Sequence, residues 1–254
     1  MKKIGIIGCG AIGAGIAEFI QQKLKKKARI VALCDLDFKK AQSLSKKITP
    51  RPRLTNIDYL IKKCDLIIEA ASPKISGKIA QKAVSLKKEA LIMSTGGLLN
   101  FKDIKSIYVP SGAVCGMDGV RAAAIGKIKR VTLTTRKPPK GLRGAPYLEK
   151  RKIDIDKIKK ETVIYNGTAQ DAVKHFPKNI NVAATLSISG IGPRQTKVRI
   201  ITSPEYNTNS HEVEVEGEFG RLFTKTENVP SKENPKTSQL AIYSALAKLK
   251  EVIG

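Results

Sequence analysis

Over the first 115 positions, short dense apolar runs alternate with longer stretches in which apolar residues recur every three or four positions. "KKIGIIG", "ARIVALC", "CDLIIEAA" and "EALIMS" read as strands. "AIGAGIAEFIQQKL", "NIDYLIKK" and "KISGKIAQKAVSL" read as helices, and "SIYVPSGAV" adds one more strand. Strands that alternate with helices of this length predict right-handed crossovers and a doubly wound parallel sheet.

The pattern changes near Cys115. "DGVRAAAIG" predicts a short helix and "KIKRVTLTTRK" a strand, followed by the loop "PPKGLRGAPYLEKRK". "ETVIYNG" predicts a strand and "TAQDAVKHF" a helix capped by Thr168. "PKNINVAATLSISG" predicts a second helix, with Pro177 at its start and Gly190 near its stop. Two strands follow, "TKVRIITSPE" and "SHEVEVEGEFGRLFTKTE". The last helix is "NPKTSQLAIYSALAKLKEVI", with Asn234 as N-cap and Pro235 in the first turn. Consecutive strands with few helices predict a separate α+β domain. The expected division is 1–116 and 117–231, with the last helix, 232–254, returning to the first domain.

In "SHEVEVEGEFG" (210–220) polar and apolar residues alternate with period two. Glu212, Glu214 and Glu216 share one face, read as solvated. Val213, Val215 and, by parity, His211 share the other, which should turn inward. The chain has two histidines. His211 is either a satisfied core histidine or an acid–base group at the start of its strand, at the edge of the sheet. A catalytic imidazole would need a pKa near neutrality. His175 reads as a helix-end residue.

"GIIGCGAIGAG" contains G-x-G-x-x-G at Gly8, Gly10 and Gly13, between an apolar strand and a helix. Gly8 permits the tight turn, Gly10 a close approach of pyrophosphate, and Gly13 close packing of helix on strand. Ala11 and Ile12 open the helix, where amides and dipole favour phosphate. Asp35 lies 22 residues beyond Gly13, at the end of the next strand. A carboxylate there holds the adenosine ribose and repels a 2′-phosphate. NAD is the expected cofactor and NADP the other candidate, with Lys39 and Lys40 close by to soften the choice.

Composition narrows the function classes. No apolar run approaches the ~18–20 residues that span a bilayer, and "MKKIGIIGCG" reads as strand and turn rather than as a signal peptide. A cytoplasmic protein with no membrane partner is expected. Cys9, Cys34, Cys64 and Cys115 lack metal-ligand or CxxC spacing and read as buried thiols in a reducing compartment. No metal constellation stands out. The net charge of +25 suits a polyanion. Yet the lysines are dispersed, no Trp is present, and no nucleic-acid motif occurs, so nucleic acid is not the expected partner.

Three segments exceed what a generic dinucleotide fold needs: "VPSGAVCGMDGVRAA" (109–123), "FPKNINVAATLSISGIG" (176–192) and "HEVEVEGEFG" (211–220). With "NPKTS" (234–238), they resemble the L-aspartate dehydrogenase family over nearly the whole chain. The resemblance implies a Rossmann domain followed by an α+β domain with an open mixed sheet, and a homodimer formed through the latter. It implies oxidation of L-aspartate with NAD or NADP, through iminoaspartate, to oxaloacetate and ammonia. Iminoaspartate can instead feed quinolinate formation, in pyridine nucleotide biosynthesis. The family's cofactor-contacting alanine and asparagine correspond to Ala113 and Asn181, and its active-site histidine to His211. Cys115 stands where relatives often have glycine. For a dianionic substrate, the positive charge reads as a steering field.

Two rival readings remain at this level. One is another two-domain Rossmann reductase, of the dihydrodipicolinate-reductase-like or homoserine-dehydrogenase-like type. The other is a non-catalytic nucleotide- or nucleic-acid-binding protein that keeps the fold.

Overall fold

The computed structural model describes residues 1–101, 106–177, 181–231 and 237–254. The chain divides into two compact units, Met1–Pro110 with Ile242–Gly254, and Ser111–Ala241.

In the first unit, β1 (Lys2–Ile7), β2 (Ala28–Cys34), β3 (Arg53–Leu54), β4 (Leu66–Glu69), β5 (Glu89–Ile92) and β6 (Ile107–Tyr108) form one parallel sheet in the order β3-β2-β1-β4-β5-β6. Crossover helices are α1 (Ala11–Phe19), α2 (Phe38–Lys46), α3 (Ile57–Lys63) and α4 (Pro73–Ser85). Every residue of β4 is buried, as expected of a strand covered on both faces. The order reverses at β1, and the register Ile7↔Cys34 and Ile7↔Glu69 brings the ends of β1, β2 and β4 level. Open α/β sheets bind ligands outside the strand ends at such a reversal.

Helix α2 was not legible from periodicity. Its sequence, "FKKAQSLSK", is polar and buries only Ala41, Leu44 and Ser45. Asp37 starts it by accepting from the Lys39 amide at 3.1 Å. The strand expected in "SIYVPSGAV" is only two residues long.

The second unit holds β7 (Ile128–Lys137), β8 (Thr162–Thr168), β9 (Lys197–Thr202), β10 (Asn209–Gly217) and β11 (Gly220–Asn228), in the order β11-β10-β7-β9-β8. Only β7 and β9 pair in parallel, so the sheet is mixed. Its helices are α5 (Met117–Ala123), α6 (Pro146–Arg151), α7 (Ala169–His175) and α8 (Asn181–Ser189). Thr168 caps α7, its hydroxyl accepting from the Asp171 amide. The core combines Val131, Leu133, Val198, Ile200, Val213 and Val215 from the sheet with Phe176, Ala183 and Leu186 from the helices.

Four expectations are corrected here. "SHEVEVEGEFGRLFTKTE" is a hairpin and not one strand: β10 and β11 pair from Gly217↔Gly220 outward, and Gly220, at φ +109°, takes a turn conformation that favours glycine. The expected loop "PPKGLRGAPYLEKRK" contains α6, where Pro146 at the first helical position suits its fixed φ. The glutamate face is not simply solvated. Glu212 pairs with Arg136 at 2.7 Å, Glu214 with Arg221 at 2.9 Å, and Glu216 with Arg130 at 2.7 Å, all with partly buried carboxylates. Finally, Cys115 is exposed, whereas Cys9 and Cys64 are buried.

The last helix, α9, spans Gln239–Ile253. Asn234, Pro235 and Lys236 lie outside the described residues. Thr237 and Ser238 precede the helix rather than open it, since Ser238 bridges Pro230. Ala245 and Leu249 join the first unit's core with Ile16, Ala17 and Ile20.

Candidate functional site

The glycine turn of the first unit has the features a phosphate cradle needs. Gly8 sits at φ +96°, and a Cβ there would meet the Ala70 carbonyl at 2.5 Å. A Cβ on Gly13 would lie 1.9 Å from the Gly8 carbonyl oxygen, so α1 packs against the turn at glycine distance. A Cβ on Gly10 would meet nothing within 4 Å, which leaves open space over the turn. The Ala14 amide donates to the Gly10 carbonyl at 2.8 Å. Helix geometry therefore directs the amides of Ala11, Ile12 and Gly13 outward from the start of α1. This surface fits a dinucleotide pyrophosphate.

Asp35 is fixed to the same turn. One carboxylate oxygen accepts from the Cys9 amide at 2.6 Å, and the other from the Asp37 amide at 2.8 Å. It thus ties the end of β2 to the glycine turn, a role not evident from its spacing. Burial pushes the Cys9 and Cys64 thiols up to about 12, so both are inert at neutral pH.

A second anchor at the strand ends escaped sequence reading. Glu69 is fully buried and accepts from the Ala71, Ser72 and Ser94 amides at 2.8, 2.9 and 3.0 Å. It joins the turn after β4 to "STGG", which forms a short 3-10 helix, Thr95–Leu98, after β5. Burial raises its pKa against the opposing pull of these amides. The acid ending "LIIE" was the available signal.

In the second unit, the core face of the sheet turns from apolar to polar at one end. Val131 and Leu133 of β7 stand opposite Val215 and Val213 of β10, then Thr135 stands opposite His211. Two residues further along β7, on the same face, is Lys137, which pairs in register with Thr202 of β9. Thr135, Lys137, Thr202 and His211 are all buried. The His211 Nδ1 lies 3.0 Å from Thr135 Oγ1.

The inward parity of His211 and its place near the start of β10 are as expected, and β10 itself lies inside the sheet, between β11 and β7. One related expectation is corrected, because the imidazole pKa is far from neutral. Burial, reinforced by the Lys137 charge, holds it down at about 3. His211 therefore rests neutral, and burial makes it a weaker base than an ordinary imidazole.

Ala113 belongs to the same cluster. Thr226, opposite His211 on β11, donates from Oγ1 to the Ala113 carbonyl at 2.9 Å. Asn228 Nδ2 donates to that carbonyl at 3.1 Å, and Ser238 Oγ donates to Asn228 Oδ1 at 2.6 Å. The segment carrying Ala113 is thus tied to the strand beside His211. Asn181 is half-buried as the first residue of α8. His175 ends α7 within an aromatic cluster of Tyr147, Tyr165 and Phe176. No helix of the described residues is long and apolar enough to cross a membrane.

Residues 118–252 match the family model described as aspartate dehydrogenase, C-terminal, and residues 8–108 match homoserine dehydrogenase, NAD binding domain. The L-aspartate dehydrogenase of Methanosarcina mazei is 45% identical, and that of Methanosarcina barkeri 43%. Each alignment covers 100% of this chain and 97% of the relative. Among solved structures, an aspartate dehydrogenase from Thermotoga maritima is 25% identical with a TM-score of 0.76, covering 99% of this chain and 97% of that one. A myo-inositol dehydrogenase from Lactobacillus casei shares the fold at 15% identity and a TM-score of 0.53, covering 100% of this chain and 85% of that one. The homoserine-dehydrogenase likeness is confined to the nucleotide-binding half, and the second half separates this chain from that rival.

Proposed function

The chain belongs to the L-aspartate dehydrogenase family, and from that premise we propose how its own residues carry out the NAD(P)-dependent oxidation of L-aspartate. The observation that carries the proposal is the buried His211–Thr135 pair, at the polar end of an otherwise apolar sheet face, within the segment matching the family's C-terminal model.

When bound, the nicotinamide supplies the hydride acceptor. Gly8, Gly10 and Gly13 shape the turn for the pyrophosphate, and the amides of Ala11 and Ile12 donate to it. Asp35 takes the adenosine ribose hydroxyls on the carboxylate lone pairs its two backbone contacts leave over. We assign Ala113 and Asn181 to the nicotinamide end of the cofactor.

Oxidation at Cα needs the substrate amine without its extra proton. Thr135 occupies Nδ1 of His211, so Nε2 is the nitrogen that exchanges protons with the substrate. With Nδ1–H donating to Thr135 Oγ1, Nε2 is a free base. It takes the ammonium proton before the hydride leaves Cα. Once that proton has passed to solvent, the same nitrogen can draw a proton from the water that adds to the protonated imine, and return it to the departing nitrogen as ammonia leaves. Iminoaspartate released before hydrolysis would feed quinolinate formation.

NAD is the preferred cofactor in this reading. Asp35→Ala should raise the Kd for NAD relative to that for NADP by ~10–100-fold, since charge-assisted hydrogen bonds of ~1.5–3 kcal/mol are lost along with repulsion of the 2′-phosphate. Losing the contact to the Cys9 amide weakens both cofactors together, so the ratio is the readout. Equal losses would remove Asp35 from ribose recognition.

The substrate reading is tested by selectivity. L-Aspartate should be oxidised with a kcat/KM at least ~100-fold above L-alanine, because a site built for two carboxylates is left with an unpaired cation when one is missing. L-Glutamate should also be poor, as its extra methylene moves the second carboxylate out of register. Comparable values for aspartate and alanine would contradict a dicarboxylate site. We further assign the ion-paired sheet face of Arg130, Arg136, Glu212, Glu214 and Arg221 to a homodimer. The four free thiols support a reducing, cytoplasmic setting.

A further inference from the structure

Among the many lysines of this chain, Lys137 stands apart. It is 7% exposed and lies on the core face of β7, one pleat beyond Thr135 and diagonal to His211. Around its stem are Gly141, where a Cβ would lie 3.7 Å from the Lys137 Cβ, and Thr202, whose hydroxyl donates to the Lys137 carbonyl at 2.7 Å. No carboxylate pairs with it among the described residues. The nearby glutamates of β10, Glu212, Glu214 and Glu216, are on the opposite face and are held by arginines. Burial alone lowers its pKa, to about 8.

A buried ammonium without a counter-charge destabilises the folded protein, and a hydrophobic residue of similar volume would suit the position better. Charge retained at such a cost beside the proposed proton-transfer residue needs an anion to complete it. Resting on the aspartate reading of this site, we propose that Lys137 anchors one carboxylate of the substrate.

The assignment gives the second unit two connected functions. The carboxylate on Lys137 sets the substrate beside His211. Its negative charge also offsets the lysine's effect on the imidazole, making His211 a stronger base once substrate is seated. The neutral resting His211 and the cationic Lys137 are thereby compatible neighbours, whereas two cations would repel.

The test uses succinate, a dicarboxylate that cannot be oxidised at an amine, titrated calorimetrically into enzyme saturated with NADH. Lys137→Met should weaken succinate by ~10²-fold and raise the KM for L-aspartate by a similar factor, the usual scale for removing one partner of a buried charge pair. NAD affinity should stay within about twofold, and Tm should rise by a few degrees because a buried charge with no carboxylate partner among the described residues is gone. Lys137→Gln should weaken succinate in the same way. A structural lysine predicts the opposite sign in stability. If both variants melt below wild type or fail to fold, Lys137 supports the fold and the proposal is overturned. Unchanged succinate affinity and KM would overturn it equally. Wild-type enzyme that binds succinate through Lys137 but does not oxidise L-aspartate would instead overturn the aspartate reading and leave the anchor in place.

Discussion

His211→Asn is expected to lower the turnover number on L-aspartate by ~10²–10⁴-fold, the range for loss of a general acid–base group. NAD affinity should change little, because the imidazole is assigned to proton transfer and not to cofactor binding. Asparagine keeps polarity near Thr135 but cannot act as a base at neutral pH. A second readout distinguishes this variant physically. Folded His211 has a pKa of about 3, against about 6.5 for an unperturbed imidazole. Between these values the unfolded chain takes up a proton that the folded protein refuses. The stability associated with neutral burial is full above pH 6.5 and is lost as pH falls toward 3. Lys137, with a folded pKa of about 8, stays protonated in both states below pH 7 and adds no slope there. The stability difference between wild type and His211→Asn should therefore move by about 2 kcal/mol against wild type between pH 6.5 and pH 5. Near-normal turnover in a well-folded Asn variant would make His211 a satisfied core histidine. A stability difference independent of pH would show that the imidazole is not buried in its neutral form.

Gly13→Ala and Gly10→Ala should both abolish tight NAD binding, through different physical routes. At Gly13 the new Cβ would fall 1.9 Å from the Gly8 carbonyl oxygen, a backbone atom that moves only with the turn. The variant should lose stability, by ~1–3 kcal/mol or more as overpacked sites do, and weaken NAD by at least ~10²-fold. At Gly10 the Cβ meets nothing within 4 Å, and the backbone is extended at φ −76° and ψ −166°. Gly10→Ala should therefore keep the wild-type Tm and lose affinity alone, because the methyl occupies the space assigned to pyrophosphate. Thermal melts paired with NAD titrations separate the two cases. A Gly10→Ala protein that binds NAD normally would remove the pyrophosphate from that space.

The parts of this protein most legible in sequence are those where geometry restricts residue type. Gly8 and Gly13 must be glycine because a Cβ would strike backbone, and that requirement is written directly as G-x-G-x-x-G. His211 was legible through strand parity, which fixes a face without fixing a neighbour. Its partners were not. Lys137 looks like any of the lysines in a chain of charge +25, and its place beside His211 follows only from the pairing of β10 with β7. The same pairing carries the low imidazole pKa, which depends on burial and on Lys137. Asp35 was recognised from its spacing, but its bond to the Cys9 amide belongs to the folded turn. Helix α2 escaped because its face toward the core is narrow, and the hairpin of β10 and β11 was obscured by alternation that runs on through its turn. Function was more legible than fold detail at these points, since the three segments pointed to the family that the C-terminal model and the relatives show.

The most direct test of the central claim is absorbance at the NADH band when purified protein is mixed with L-aspartate and NAD. The account predicts steady NADH formation that requires both compounds, yields oxaloacetate and ammonia in equal amounts, and falls by ~10²-fold or more in His211→Asn. No NADH from L-aspartate with either NAD or NADP, in protein that binds the cofactor and is fully folded, would contradict it.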